Sequence, residues 1–97
     1  MKISTTHHMD KQVVRAKIEG EIVELVERFG QYVSNLDHHW CGDTMEFSFK
    51  AIGNDLLGSV HVTNRNFDLE IRIPSKFRII EGQIKDEARD WCNKVLN

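Results

Sequence analysis

The sequence lacks any apolar run approaching the ~18–20 residues that a membrane-spanning helix requires, so no transmembrane segment is expected. Its opening residues, Met1-Lys2-Ile3-Ser4-Thr5-Thr6-His7-His8, lack the apolar core of a secretory signal, and a cytoplasmic location is the expectation. It also lacks a basic stripe. The 13 Lys and Arg are scattered among 15 Asp and Glu, leaving a net charge of −2, which argues against a nucleic-acid partner. Cysteine is scarce: Cys41 and Cys92 lie far apart in different kinds of element. Two free thiols is the default reading, with a Cys41–Cys92 bridge the lesser alternative. There is no nucleophile elbow, no Gly-rich amide cradle and no standard zinc spacing, so neither an enzyme nor a cofactor is expected. Repeats, linkers and low-complexity tracts are absent as well.

What is present is hydrophobic periodicity. The 97 residues, 40% hydrophobic and 29% charged, suit one globular domain spanning 1–97. Lys2–Thr6 reads as a first strand. Asp10 is a good N-cap for a helix running to about Phe29, with Gly30 placed to end it. Val14, Ile18, Ile22, Leu25 and Phe29 form that helix's buried face. Beyond it, Tyr32, Leu36 and Trp40 alternate loosely, and Met45, Phe47, Phe49 and Ala51 strictly. After a turn at Gly53-Asn54-Asp55 come Gly58, Val60 and Val62. After Asn64-Arg65-Asn66 come Phe67, Leu69, Ile71 and Ile73. Period-two runs joined by short polar turns predict an antiparallel meander with one apolar and one wet face. Pro74-Ser75 opens a last helix whose stripe is Phe77, Ile80, Ile84, Ala88, Trp91 and Val95.

The predicted fold class is α+β, a two-layer sandwich. Two helices cover one face of a mostly antiparallel sheet in the order β-α-β-β-β-β-α, a reduced helix-grip arrangement without room for a large cavity. The expected core is Ile18, Ile22, Leu25, Phe29, Phe47, Phe49, Val60, Leu69, Ile71, Ile80, Ile84 and Trp91. Glu24–Arg28, Glu81–Lys85 and Asp90–Lys94 are i,i+4 pairs in the favourable order for solvated helix faces.

Three groups of residues could carry function. Val13, Ala16, Gly20 and Val23 form a second stripe on the first helix, and Ile79 lies off the stripe of the last. Either the helices pack side by side with Gly20 easing their contact, or this is a surface for self-association or an apolar partner. Glu46, Lys50, His61, Glu70 and Arg72 populate the wet sheet face, where a small ligand could sit. No metal site is expected. A metal would have to start from His38 and Cys41, but His38 and His39 point to opposite faces of a strand and cannot share one ion without a bulge. Cys92, beside Trp91, reads as packed rather than reactive.

The ordered pattern Arg28-Phe29-Gly30, Trp40-x-Gly42-Asp43-x-Met45-x-Phe47, Gly58-x-Val60-x-Val62, the run Phe67 to Ile73 and a closing amphipathic helix resembles a bacterial family. That family is the polyhydroxyalkanoic acid system proteins, or granule-region proteins, and the likeness covers essentially the whole chain. The resemblance implies an accessory or regulatory role at polyhydroxyalkanoate storage granules, with a granule-associated protein or the granule surface as partner. It carries no catalytic residues. It also implies a His followed by an apolar residue before the first helix, a match that His8-Met9 and the adjacent His7 leave open in register. A homodimer is compatible with the same surface.

Overall fold

The computed structural model describes residues 1–30 and 33–97, so the expectation for Tyr32 lies outside the described residues. The chain runs β1 (Lys2–Thr6), α1 (Lys11–Glu27), β2 (Val33–Cys41), β3 (Thr44–Ala51), β4 (Asn54–Val62), β5 (Asn66–Arg72), a 3₁₀ segment (Ser75–Ile80) and α2 (Glu81–Val95). The strands form one antiparallel sheet in the order β1-β5-β4-β3-β2. This is the α+β fold and element order that the periodicities predict.

The alternation of each strand sorts side chains by face. Met45, Phe47, Phe49, Leu56, Val60, Val62, Phe67, Leu69 and Ile71 are buried on the helix side. Val14, Ile18, Ile22 and Leu25 of α1 and Ala88, Trp91 and Val95 of α2 close over them. Trp91 sits at the centre: its ring is 6.3 Å from Phe67, and its indole N–H donates to Glu21 O at 2.9 Å, so the one polar atom of this buried ring is satisfied.

One glycine of the meander sits in crowded space. Gly58 lies directly across from Phe47 on the buried face. A Cβ there would come within 2.2 Å of the Phe47 ring. The ring occupies the space glycine leaves, and continues a stack in which Phe47 is 6.3 Å from Phe49 and Phe49 is 5.6 Å from Phe29.

The structure corrects the sequence reading in four places. Asp10 caps α1 as expected, accepting from Gln12 N at 2.8 Å, but the helix stops at Glu27, ahead of Phe29, and the chain turns out through Gly30 at φ 116°. The β3–β4 turn is Ile52-Gly53, with Asn54 and Asp55 already in β4. The last helix begins as a 3₁₀ segment and becomes α-helical only at Glu81. With three residues per turn, Phe77 and Ile80 stack in one row while Ile79 moves to another. The α-helical stripe therefore fails at its start: Ile80 is 42% exposed and Ile84 is only partly buried, so neither joins the fully buried core.

The ion pairs are the fourth correction. Glu24–Arg28 forms at 3.0 Å, but Lys94 reaches across to Glu24 and to Glu21 (3.5 Å), while Arg28 reaches Glu87 (3.5 Å) and Asp90 (3.9 Å). Glu81–Lys85 and Asp90–Lys94 are not among the pairs of the described residues. For Lys94, the half-buried Glu21 and Glu24 across the seam compete better than the exposed Asp90 on its own helix.

Candidate functional site

The open sheet face carries a shallow groove of about 460 Å³. Cross-strand register builds it: His39, Glu46, Ser59, Glu70 and Lys2 form one row across all five strands. Glu46, Glu70 and Arg72 line the groove with Asp37, His39, Ser48 and Ser59, and Leu57 supplies an exposed apolar floor. His39 Nε2 lies 3.6 Å from Glu46 Oε2. Of the five residues predicted for a ligand face, Lys50 and His61 fall outside the lining. His61 is one row over, its Nδ1 2.8 Å from the Thr44 hydroxyl, and Lys50 is opposite Asp55 near the far end of β3.

His38 and Cys41 are not brought together. His38 is on the helix side of β2, its Nδ1 3.9 Å from Glu19 of α1, whereas His39 and Cys41 are on the open face. Among the described residues, no group of three or more His, Cys, Asp or Glu side chains could hold a metal ion. Cys41 is exposed and Cys92 buried, and both are free. Burial pushes the Cys92 thiol up to about 12, which keeps it protonated and unreactive in the folded protein.

The second stripe of α1 faces solvent. Val13 is 47% and Val23 52% exposed, and Ala16 and Gly20 are exposed between them. A Cβ at Gly20 would have no neighbour within 4 Å. This overturns the idea that Gly20 eases helix–helix packing. The seam with α2 is made by Glu21, Glu24 and Arg28, a different side of the helix. Ile79, at 97% exposure, belongs to the 3₁₀ segment at one end of the sandwich.

Two clusters escape sequence reasoning. At the β2–β3 turn, Asp43 binds Lys11 (3.1 Å) and Arg15 (3.2 Å) of α1, and its carbonyl accepts from Val62 N (3.0 Å). The Arg15 guanidinium lies 4.3 Å over the Trp40 ring, and the Trp40 indole N–H donates to Glu19 at 2.7 Å. The Trp-x-Gly-Asp motif is thus the clasp between the hairpin and the first half of α1. Its partners Lys11, Arg15 and Glu19 recur at i,i+4 spacing, the one signal that could have revealed them. The other is His7, buried beneath the β4–β5 turn. Its Nδ1 accepts from Met9 N (3.2 Å), so the proton sits on Nε2, which donates to Thr63 O (2.7 Å). His8 is exposed, which settles which of the two imidazoles the fold uses.

Among the described residues, no helix is long and apolar enough to cross a membrane. Neither a curated protein nor a solved structure matches the chain. A family profile, by contrast, matches residues 1–96, a span that includes the clasp, the Phe47–Gly58 pairing and both helices. The chain belongs to the family described as "putative polyhydroxyalkanoic acid system protein".

Proposed function

We propose that the chain is a non-enzymatic accessory or regulatory protein of polyhydroxyalkanoate storage granules, binding a granule-associated protein or the granule surface in the cytoplasm. The observation that carries this reading is the outward stripe of α1. Val13, Ala16, Gly20 and Val23 face solvent in a helix whose core face and seam are already complete. A mid-helix glycine costs up to about 1 kcal/mol relative to alanine, and among the described residues no contact uses its missing side chain. Small residues flanked by exposed valines admit the close approach of another backbone. The partner is a granule protein or a second copy of this chain, with Ile79 as a separate apolar contact.

Co-sedimentation with native polyhydroxyalkanoate granules across salt concentrations tests this, with protein-stripped granules and polystyrene beads as controls. Salt-resistant binding to native granules alone is the expected result. Val23→Glu weakens it while leaving the fold intact, because Val23 is half exposed and outside the buried core. A mutant that co-sediments like the wild type would discard the α1 surface.

The groove on the open sheet face favours a second reading, a small-ligand domain using Glu46, Glu70 and Arg72, with His61 and Lys50 at its margins. A ligand that binds only the native state raises the melting temperature. An unchanged melting temperature with hydroxyacyl compounds and divalent metals counts against it.

A further inference from the structure

The end of the sandwich opposite the Trp40–Asp43 clasp combines three features. The first is a strained turn. Ile52 and Gly53 form the two-residue loop between β3 and β4 with φ of 51° and 76°, the type I′ geometry. Such a loop favours Asn or Asp followed by Gly, because a β-branched residue at positive φ is sterically strained. Ile52 accepts that strain and leaves its side chain 66% exposed.

The second is the row structure of the 3₁₀ segment. Phe77 and Ile80 turn toward the sheet and line an apolar crevice with Ile52 and Ile84. Lys76 and Ile79 form a second row, and Ser75 and Arg78 a third, all directed away from the core. The third feature is charge. From Ile71 to Ile80 the charged residues are Arg72, Lys76 and Arg78, all basic, in a chain whose net charge is −2; Glu81 follows at the start of α2. Among the described residues, neither Lys76 nor Arg78 has a carboxylate within ion-pair distance.

We infer that this end of the molecule docks on an anionic lipid layer, with Ile52, Ile79 and Ile80 entering the acyl boundary and Lys76 and Arg78 meeting the headgroups. Exposed isoleucines beside unpaired cations on a short helix match the chemistry of an interfacial surface, whose affinity adds buried apolar area to attraction for anionic lipid. The shape favours a fluid layer over a folded partner. Ile52 and Ile79 project from two separate elements, and the crevice between the elements is about 50 Å³, too small for a partner's helix or strand to lie in. A lipid layer closes around separate projections, whereas a protein would need matching pockets for each. The inference shares Ile79 with the granule reading but not the outward stripe of α1, and vesicles free of granule components test it separately.

The test is sedimentation with mixed phosphatidylglycerol–phosphatidylcholine vesicles against pure phosphatidylcholine vesicles, which contain no granule component. The full chain is expected to bind the mixed vesicles and not the neutral ones, with binding weakening as salt rises. Each basic residue near an anionic surface contributes roughly a fivefold factor, so Lys76→Glu with Arg78→Glu abolishes binding. Ile52→Asn is the decisive variant. Asn suits a type I′ turn, so thermal stability holds or rises while vesicle binding falls severalfold. Ile79→Ser, at a fully solvated position, gives the same loss without any change in stability. Absence of binding to mixed vesicles, equal binding to neutral ones, or Ile52→Asn and Ile79→Ser both binding like the wild type would overturn the inference. So would retention on an immobilised acidic polypeptide without vesicle binding, which would assign this end to an acidic protein instead.

Discussion

Two hairpin turns of the same meander are built to opposite ends. Both are two-residue loops, Gly42-Asp43 between β2 and β3 and Ile52-Gly53 between β3 and β4. At the first, glycine takes the positive φ of 62°, and the polar residue beside it is held by two cations of α1 and by a backbone amide of β4. At the second, an isoleucine takes the positive φ and projects into solvent beside an apolar crevice and unpaired basic residues. The first turn satisfies every local preference and ties layers together. The second sets local preference aside at an exposed position, the kind of site where strain accompanies function.

The contrast can be broken at several points. The strand pair that joins the two turns depends on Gly58, and Gly58→Ala drives a methyl into the Phe47 ring. The expected loss is about 1–3 kcal/mol, typical of overpacking in a closed core, read by urea unfolding with an unchanged m-value. A loss well under this would mean that the Phe29–Phe49–Phe47 stack slides aside as a unit.

At the clasp, Asp43→Ala removes both cation contacts and is expected to cost about 1 kcal/mol, the upper range for half-exposed pairs, with the effect shrinking in high salt. The matching change at the other turn, Ile52→Asn, is expected to stabilise by a few tenths to about 1 kcal/mol as strain at positive φ is relieved. Opposite signs at the two turns would sharpen the comparison. Two losses would show that Ile52 supports the fold through the crevice.

The smallest effect lies on the helix seam. The Lys94 ammonium, and then Arg28, hold the Glu24 carboxyl below its ordinary value, and Glu24 in turn raises Lys94. A carboxyl with a lowered folded value contributes stability that is fully present above the ordinary value of 4.5 and lost as pH falls through the lowered one. A lysine with a raised folded value contributes below 10.5 and loses that contribution as pH rises through the raised one. Glu24→Gln is therefore expected to flatten the stability–pH curve at both extremes, read by thermal unfolding across pH.

Much of the fold was legible because its signals are local and periodic. Strict alternation in Met45–Ala51 and Phe67–Ile73 assigns strands and faces, and the spacing from Val14 to Leu25 assigns the core side of α1. The errors in element bounds share one physical origin, which is that backbone geometry at element ends responds to neighbours. The Ile80–Ile84 stripe assumed 3.6 residues per turn where the chain takes three. Gly53-Asn54-Asp55 reads as the β3–β4 turn by composition, whereas the loop is Ile52-Gly53 and the Asn54 side chain closes it by donating to Ile52 O at 2.9 Å.

The candidate surfaces were less legible than the fold. The stripe Val13, Ala16, Gly20 and Val23 was visible as a pattern, yet whether Gly20 met α2 or solvent depended on how far α1 is rotated about its axis. That rotation is decided by Trp91, Glu21 and the Arg28 and Lys94 ion pairs, contacts between residues as much as 70 positions apart. The amino-acid order by itself determined the strands, the two helices, their apolar faces and the family, since each is written in spacing along the chain. Only the tertiary structure decided which glycine is crowded, which histidine is buried, and which end of the molecule is left open. Those outcomes depend on distances between elements, and the local period of a sequence carries no information about them.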